Sequence, residues 1–499
     1  MNYLITLGIL IIAVLIVSEK SKFALHMIQL EEYKTENYRE WVKNNKERAY
    51  NLGKDTQPIK SPLVFTDRAK RLYMTNLALS GIIILLTSIP YLILNQYGYI
   101  LIPIIVVFVV YRQQADIMAY SNIIIRPVEE RINMGFYLEA QEKVKSREDL
   151  KVIGITGSFG KTSTKFILGT ILEEKYNVLN TPESYNTTMG LSKVINSELS
   201  DEHEVFIAEM GARTQGEIKE VAELCQPEIG VITSVGPVHI ETFGNVDTIA
   251  KTKYELIEEL PADGVAIFNY DNEDIKKLAD KTFKEKRLYG LKDIENVDLY
   301  AENIVVSELG SSFVLKDKEG NRVDCTTKLL GEHNIYNILA GASVAKTLGL
   351  TFQEISQGIS KIEPIPHRLN IIDSGSGLIV IDDAFSSNPV GTKAALKVIN
   401  QFKEGRKIIV TPGMIELGDM EEEANKEFGN DIAEVCDYAI LVGEKRTKPI
   451  YQGLIEANYD ESNIFVVNTL EEASDQIGKI ARPRDVVLFE NDLPDNYTE

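Results

Sequence analysis

Near its start the chain carries three almost uninterrupted apolar stretches, and beyond residue 150 no run of comparable length recurs. They are residues 2–18 (NYLITLGILIIAVLIVS), 76–94 (NLALSGIIILLTSIPYLIL) and 97–111 (YGYILIPIIVVFVVY). Their length and lack of charge predict three transmembrane helices. The first lacks an early basic cluster and a small-residue cleavage site, so it reads as an anchor and not a cleaved signal peptide. The second and third are separated by little more than Asn95 and Gln96 and have aromatic edges, the pattern of a membrane hairpin. The third is short and contains Pro103, so a buried or re-entrant segment is the alternative. The intervening residues 19–74 are rich in basic groups, among them Lys20, Arg39, Lys43, Lys46 and Arg71, whereas the hairpin tip has none. By the positive-inside rule this loop and everything after Arg112 face the cytoplasm. The expected localisation is the cytoplasmic membrane, multi-pass, with the remaining domains in the cytoplasm.

Residues 112–149 mix polar and apolar positions at helical spacing and read as a connector. From residue 150 onward, short Val/Ile-rich runs alternate with helix-period stretches, which predicts α/β architecture with parallel sheets. The expected division is a membrane region over 1–149, a central nucleotide-binding domain over 150–365 and a C-terminal domain over 366–499. The last shows candidate strands LIVID, KIIVT, YAILVG, NIFVV and DVVLFE, a Rossmann-like pattern without a dinucleotide glycine fingerprint.

Composition sharpens this picture in two ways. A formal charge of −21 over 499 residues argues against broad binding to nucleic acid, so any nucleotide must be gripped locally. The three cysteines, Cys225, Cys325 and Cys436, are far apart and lack metal-ligand spacing; they suggest a reducing compartment and read as buried apolar residues.

That local grip is visible at residues 151–175. KVIGI reads as a buried strand, TGSFGKTS as a turn and TKFILGTILEEK as an amphipathic helix, the context a phosphate loop requires. Gly157 and Gly160 let backbone amides of the loop, with Ser158 and Ser163 beside them, approach phosphate oxygens. Lys161 would reach the β- and γ-phosphates, and the Thr162 hydroxyl suits Mg²⁺. The strict pattern calls for glycine at position 155, where this chain has Ile155. An incidental glycine turn is the plainer reading of the motif alone.

The shorter pattern T-G-x-x-G-K-T, with the blocks that follow it in order, resembles the Mur ligase family, ATP-dependent enzymes that build the peptidoglycan stem peptide, and within it the branch that adds D-alanyl-D-alanine. The resembling blocks are TPESYNTTMG (181–190), FIAEMGARTQGEI (206–218), ITSVGPVHIETFGNVDTIAKTKYELI (232–257), GEHNIYNILAGASVA (331–345), IPHRL (365–369), VIDDAFSSNP (380–389) and TPGMIELGD (411–419). The resemblance implies a central P-loop ligase domain, a Rossmann-like C-terminal domain and amide-bond formation through an acyl phosphate, with release of ADP. It places Glu209 and His239 as metal ligands beside Thr162. Lys253, fourteen residues beyond His239, would be carbamylated by CO₂ and so turned from a cation into a metal-binding anion. Lys161, His239 and Lys253 form the implied catalytic set. Asn334 and Asn337 would face adenine, Arg368 and Asp383 the ribose and phosphates, and Asn186, Thr187 and Asn388 the substrate region. Cofactors would be ATP and Mg²⁺. Partners would be an amino acid or dipeptide amine and a peptidoglycan-type or lipid-linked acceptor, with no nucleic acid.

Each of these residues also has a plainer reading. Glu209 could be a solvated strand-end acid, His239 a structural histidine, Lys253 a solvated helix lysine and Asn334 a helix cap. Three departures from the family pattern are plain, one of them that the family's DSYNANP-like run reads DDAFSSNP here, residues 382–389. No glycine-rich nucleotide signal precedes residue 150, where family members acting on UDP-linked peptides hold the uridine nucleotide. The family's basic KGS near the C-terminus is replaced by ENDLPDNY, residues 490–497. These motivate the expectation of a ligase working at the cytoplasmic membrane face. The alternatives are a membrane-associated poly-γ-glutamate synthase-like ligase and a non-catalytic nucleotide-binding membrane scaffold.

Overall fold

The computed structural model describes residues 2–51, 62–94, 101–182, 185–238, 240–307, 310–373, 375, 377–385, 387–415 and 417–492. His239 and residues 95–100 of the expected hairpin lie outside them. Two compact units divide the chain, Met1–Gly135 and Phe136–Leu493, and the division falls inside one long helix, Gln114–Lys145.

The first unit is helical. Its main elements are Asn2–Leu30, Thr35–Asn44, Asp67–Leu94, Leu101–Arg112 and the start of Gln114–Lys145. A core of Leu25, Ile28, Tyr38, Trp41, Leu72 and Met118 joins the first, second, third and last of these, and a smaller cluster of Val17, Ile84, Val110 and Ile117 packs Leu101–Arg112 against them. Arg71 adds a two-pronged ion pair to buried Glu129, at 2.6 and 2.7 Å. Among the described residues one stretch, Asp67–Thr87, is long and apolar enough to cross a membrane. Ile82, Leu85 and Leu86 on that helix, and Ile104, Ile105 and Phe108 on the helix Leu101–Arg112, are exposed.

The second unit holds two sheets. The larger contains β1 (Lys151–Thr156), β2 (Val178–Asn180), β3 (Val205–Glu209), β4 (Ile229–Ile232), β5 (Val265–Asn269), β6 (Glu285–Gly290), β7 (Leu299–Ser307), β8 (Gly310–Asp317) and β9 (Arg322–Thr327), in the order β2-β3-β1-β4-β5-β6-β7-β8-β9. Pairing is parallel from β2 through β7 and antiparallel across β7, β8 and β9. The central strands bury nearly every position because helices cover both faces, and this is why they read as continuous Val/Ile runs. Ile167, Leu168 and Ile171 of the helix Lys161–Leu172 pack on one face with Ile335, Ile338 and Leu339. Leu191, Val221, Leu256 and Ile275 pack on the other. The antiparallel extension alternates buried and less buried positions, as a sheet covered on one side does.

The smaller sheet contains β10 (Asn370–Asp373), β11 (Ile379–Asp383), β12 (Lys407–Thr411), β13 (Tyr438–Val442), β14 (Ile464–Val467) and β15 (Val486–Glu490), in the order β10-β11-β15-β12-β13-β14. All neighbours are parallel except β10 and β11. Strands β11 to β15 fall on the five runs read from the sequence. The edge strand β10 is an addition; its NIID run is too short to stand out.

Candidate active site

In the larger sheet the chain leaves β1 toward β2 and β3 on one side and returns to β4 on the other, so β1 lies at a switch point, where open α/β sheets form their ligand crevice. The loop after β1 is clasped by the loop after β4. The Ser158 amide donates to the Ser234 carbonyl at 2.8 Å, the Phe159 amide to Ser234 Oγ at 2.7 Å, and Ser158 Oγ to the Gly236 carbonyl at 3.0 Å. Two positions need glycine. A Cβ on Gly157 would lie 2.1 Å from Thr233 Oγ1; one on Gly160, where φ is 80°, would lie 2.5 Å from Asn337 Oδ1. Gly160 caps the helix Lys161–Leu172 with no side-chain oxygen on its first amides, leaving that positive helix end for an anion.

Lys161 opens this helix, half-buried, with Nζ donating to the Gly157 carbonyl at 2.9 Å. Burial lowers its pKa, as does the like charge of Arg368, while Glu209 opposes them. Glu209, at the end of β3 and 1% exposed, is the hub of the site. Its Oε1 accepts from Thr162 Oγ1 and from Asn186 Nδ2, each at 3.1 Å, and its Oε2 accepts from Lys165 Nζ at 3.1 Å. Lys165, paired with Glu209 in the buried site, is a residue that motif reading missed. It lies one helical turn beyond Lys161 in GKTSTK, and i, i+4 spacing from the phosphate-loop lysine is the signal that could have found it.

The hard oxygens of Thr162 and Glu209, 3.1 Å apart, fit a Mg²⁺ ion that keeps several waters and phosphate oxygens as its other ligands. Lys253 is 2% exposed, with its ammonium 5.8 Å from the Phe243 ring centroid and no ion pair to a carboxylate among the described residues. Burial, reinforced by the charge of Lys161, lowers its pKa to about 7, against the pull of Glu217 and Glu255. A lysine that is largely neutral at physiological pH is nucleophilic, the state that carbamylation requires.

Asn337 lies against the loop, its Oδ1 accepting from Thr164 Oγ1 at 3.3 Å and its Nδ2 donating to Asn334 Oδ1 at 3.2 Å. Asn334 in turn donates to the Leu330 carbonyl at 2.9 Å. Thr187 and Asn388 cap helices: Thr187 Oγ1 accepts from the Gly190 amide, and Asn388 Oδ1 from the amides of Val390 and Gly391. Ser163 is buried within the first helical turn.

The smaller sheet delivers a second set. Arg368 stacks over Phe385, 4.1 Å from the ring centroid, and its pKa is lowered by burial while Asp383 and Glu209 act in the opposite sense. Glu209 from one sheet and Asp383 from the other therefore act on a single guanidinium. Asp383 accepts from the Leu369 amide at 3.2 Å; burial raises its pKa to about 6 against the pull of Arg368. In register beside it on β15 sits Glu490, 1% exposed, with Oε1 accepting from Ser387 Oγ at 2.8 Å. Its pKa is raised well above the ordinary value, first by burial and then by Asp383.

With this geometry in hand, comparison with known proteins gives a consistent picture. The Mur ligase middle domain matches residues 155–345, and the Mur ligase glutamate ligase domain matches residues 367–490. The UDP-N-acetylmuramoyl-tripeptide--D-alanyl-D-alanine ligase of Escherichia coli is 32% identical over 303 residues, 60% of this chain and 66% of that protein. The chain thus spans just under two thirds of that relative's length. Among solved structures, MurF from Acinetobacter baumannii superposes with a TM-score of 0.66 at 26% identity, covering 73% of this chain and 78% of its own. The fold is shared by MurF ligase from Thermotoga maritima in complex with ADP, with a TM-score of 0.64 at 24% identity over 72% of this chain and 80% of that one.

Proposed function

This chain belongs to the Mur ligase family, and from that premise we propose that it is an ATP-dependent, ADP-forming ligase of the MurF type, joining a carboxylate to an amine in the assembly of a peptidoglycan or related envelope precursor. The observation that carries this reading is the convergence of Lys161, Thr162 and Glu209 at the switch point of one sheet with Arg368 and Asp383 from the other.

Making an acyl phosphate requires pushing a carboxylate against a γ-phosphate, two anions that repel. The open helix end at Gly160 and the ammonium of Lys161 hold the phosphates and stabilise the charge that spreads over the transferring group. When bound, Mg²⁺ would supply Lewis-acid neutralisation of those oxygens, held by Thr162 and Glu209, with His239 and a carbamylated Lys253 in the notional second set of ligands. Arg368 reaches the nucleotide from the C-terminal domain, so domain closure completes the site and excludes water from the acyl phosphate. Asn334 and Asn337 are the amides assigned to adenine. Asn186, Thr187 and Asn388 border the substrates, the last two also capping helices. The amine is D-Ala-D-Ala or another amino acid or dipeptide.

The first unit favours a finer reading: a multi-pass protein of the cytoplasmic membrane whose acceptor is lipid-linked. The exposed apolar side chains of Asp67–Thr87 and Leu101–Arg112 support it, because monomeric soluble proteins seldom expose such surfaces. Holding enzyme and acceptor on one bilayer raises their effective concentration. Purified full-length protein should release ADP when given ATP, a MurF-type dipeptide and native membrane extract, with the product identified by mass spectrometry. Full activity of a span-deleted fragment on UDP-muramyl tripeptide plus D-Ala-D-Ala would rule out the lipid-linked acceptor. Glutamate-dependent ADP release without any sugar acceptor would select the poly-γ-glutamate synthase-like reading, and nucleotide binding without turnover the scaffold.

Carbamylation of Lys253 has its own test. Its amine is mainly neutral above about pH 7, so carbamate formation should rise through that pH. Protein equilibrated with ¹³C-bicarbonate at pH 8 should show a carbamate carbonyl resonance that is absent in Lys253→Ala and weakened at pH 6. An identical spectrum for the variant would refute the assignment.

A further inference from the structure

The first unit contains a cavity of about 370 Å³ that the ligase reading does not use. Its lining includes Tyr38, Arg39, Lys43, Lys46, Tyr50 and Asp116. The Tyr38 ring is fully buried, yet its hydroxyl has no hydrogen-bond partner, a state that costs free energy unless something enters to satisfy it. The one acid of this group is already engaged, because Tyr50 donates to Asp116 Oδ2 at 3.0 Å. Arg39, Lys43 and Lys46 are exposed and make no ion pair among the described residues, and Arg39 lies over the Tyr120 ring, 5.6 Å from its centroid. An unsatisfied buried hydroxyl beneath the ammonium groups of Lys43 and Lys46, with the Arg39 guanidinium held nearby over the Tyr120 ring, is a site for a compact anion with several acceptor oxygens.

Its place on the chain narrows the source. Asp116 follows Arg112, the end of the apolar helix Leu101–Arg112, by four residues, roughly 6 Å of helical rise. On the membrane reading above, that offset puts it near the phosphates of the inner leaflet. We propose that this cavity binds the phosphate group of an anionic lipid, a phosphodiester or diphosphate headgroup, at the cytoplasmic surface of the membrane. The phosphate chemistry follows from the lining alone; the lipid source rests on the membrane reading above.

The chain carries its own reporter. Trp41, its one tryptophan, stacks on Tyr38 with ring centroids 6.2 Å apart and planes 12° from parallel. Full-length protein in neutral detergent micelles should show a saturable change in tryptophan emission on titration with phosphatidylglycerol and none with diacylglycerol, the same lipid without its phosphate. Lys43→Glu should weaken half-saturation by about fivefold or more. Tyr38→Phe, which removes only the hydroxyl, should weaken it by about two- to fivefold. Lys70→Glu, in the same basic segment but outside the cavity, should leave it unchanged. Inorganic pyrophosphate is the soluble arm: saturation by pyrophosphate without any response to phosphatidylglycerol keeps the phosphate site and overturns the lipid source. An equal response to diacylglycerol, no response to either phosphate, or unaltered binding in both Lys43→Glu and Tyr38→Phe overturns the proposal, and none of these outcomes bears on ATP turnover.

Discussion

Lys161→Met is expected to lower kcat by about 10³-fold, the magnitude typical of removing one preorganised charge from a phosphoryl-transfer site. The side chain occupies the first position of a helix whose leading amides have no side-chain cap, and Nζ is 2.9 Å from the loop carbonyl of Gly157. The ammonium is thus fixed before nucleotide arrives, so its charge acts on the transferring group without a reorganisation cost. Methionine keeps an unbranched side chain only one atom shorter and a similar helix propensity but offers no charge. Arginine is expected to fail as well, because its planar fork needs more room than a loop in which a Cβ on Gly160 would already meet Asn337 at 2.5 Å. Stability should hold or rise, since burial and Arg368 both disfavour the charge that is removed. The measurement is coupled ADP release at saturating ATP, alongside a thermal melt. A kcat within tenfold of the unaltered protein, at unchanged melting temperature, would remove Lys161 from the mechanism.

Much of this site is legible in the sequence because backbone geometry dictates it. KVIGI followed by TGSFGKTS announces a strand, a tight turn and an open helix end; β1 lies where the run places it, but the helix begins at Lys161, three residues before the expected TKFILGTILEEK, and ends at Leu172, three residues before that run does. Strands β11 to β15 of the smaller sheet are equally plain as short Val/Ile runs, whereas the edge strand β10 is too short to stand out. The antiparallel extension β7–β9 was not resolved from the general α/β alternation, because half-covered strands carry polar residues at every second position. Pairings between distant segments are the least legible. The i, i+4 spacing in GKTSTK puts Lys165 on the face of Lys161 but does not name Glu209, 44 residues on, as its partner, and nothing local says that Glu490 lies in register with Asp383. The capping roles of Thr187 and Asn388 were hidden for the opposite reason: a threonine or asparagine before a helix fits a cap and a ligand contact equally well.

The pairing of Lys165 with Glu209 leads to the second large effect, in stability as well as turnover. The two side chains are 0% and 1% exposed and 3.1 Å apart, so each charge is tolerated only because the other is present. Lys165→Met leaves the carboxylate with the Thr162 hydroxyl and the Asn186 amide on Oε1 but without its counter-charge. Removing one partner of a buried pair costs about 3–5 kcal/mol, which for a unit of this size is a fall in melting temperature of roughly 4–7 °C. The double variant Lys165→Met with Glu209→Gln removes both charges while retaining an oxygen for Thr162, and it should recover more than half of that loss. Turnover should not recover, because a neutral amide cannot supply the anionic metal ligand that the site needs. The two readouts therefore separate: stability follows charge balance, whereas activity follows the carboxylate. Thermal melts of the two single variants and the double variant close the cycle. A double variant no more stable than Lys165→Met alone would mean that packing, not the ion pair, sets the cost at this position.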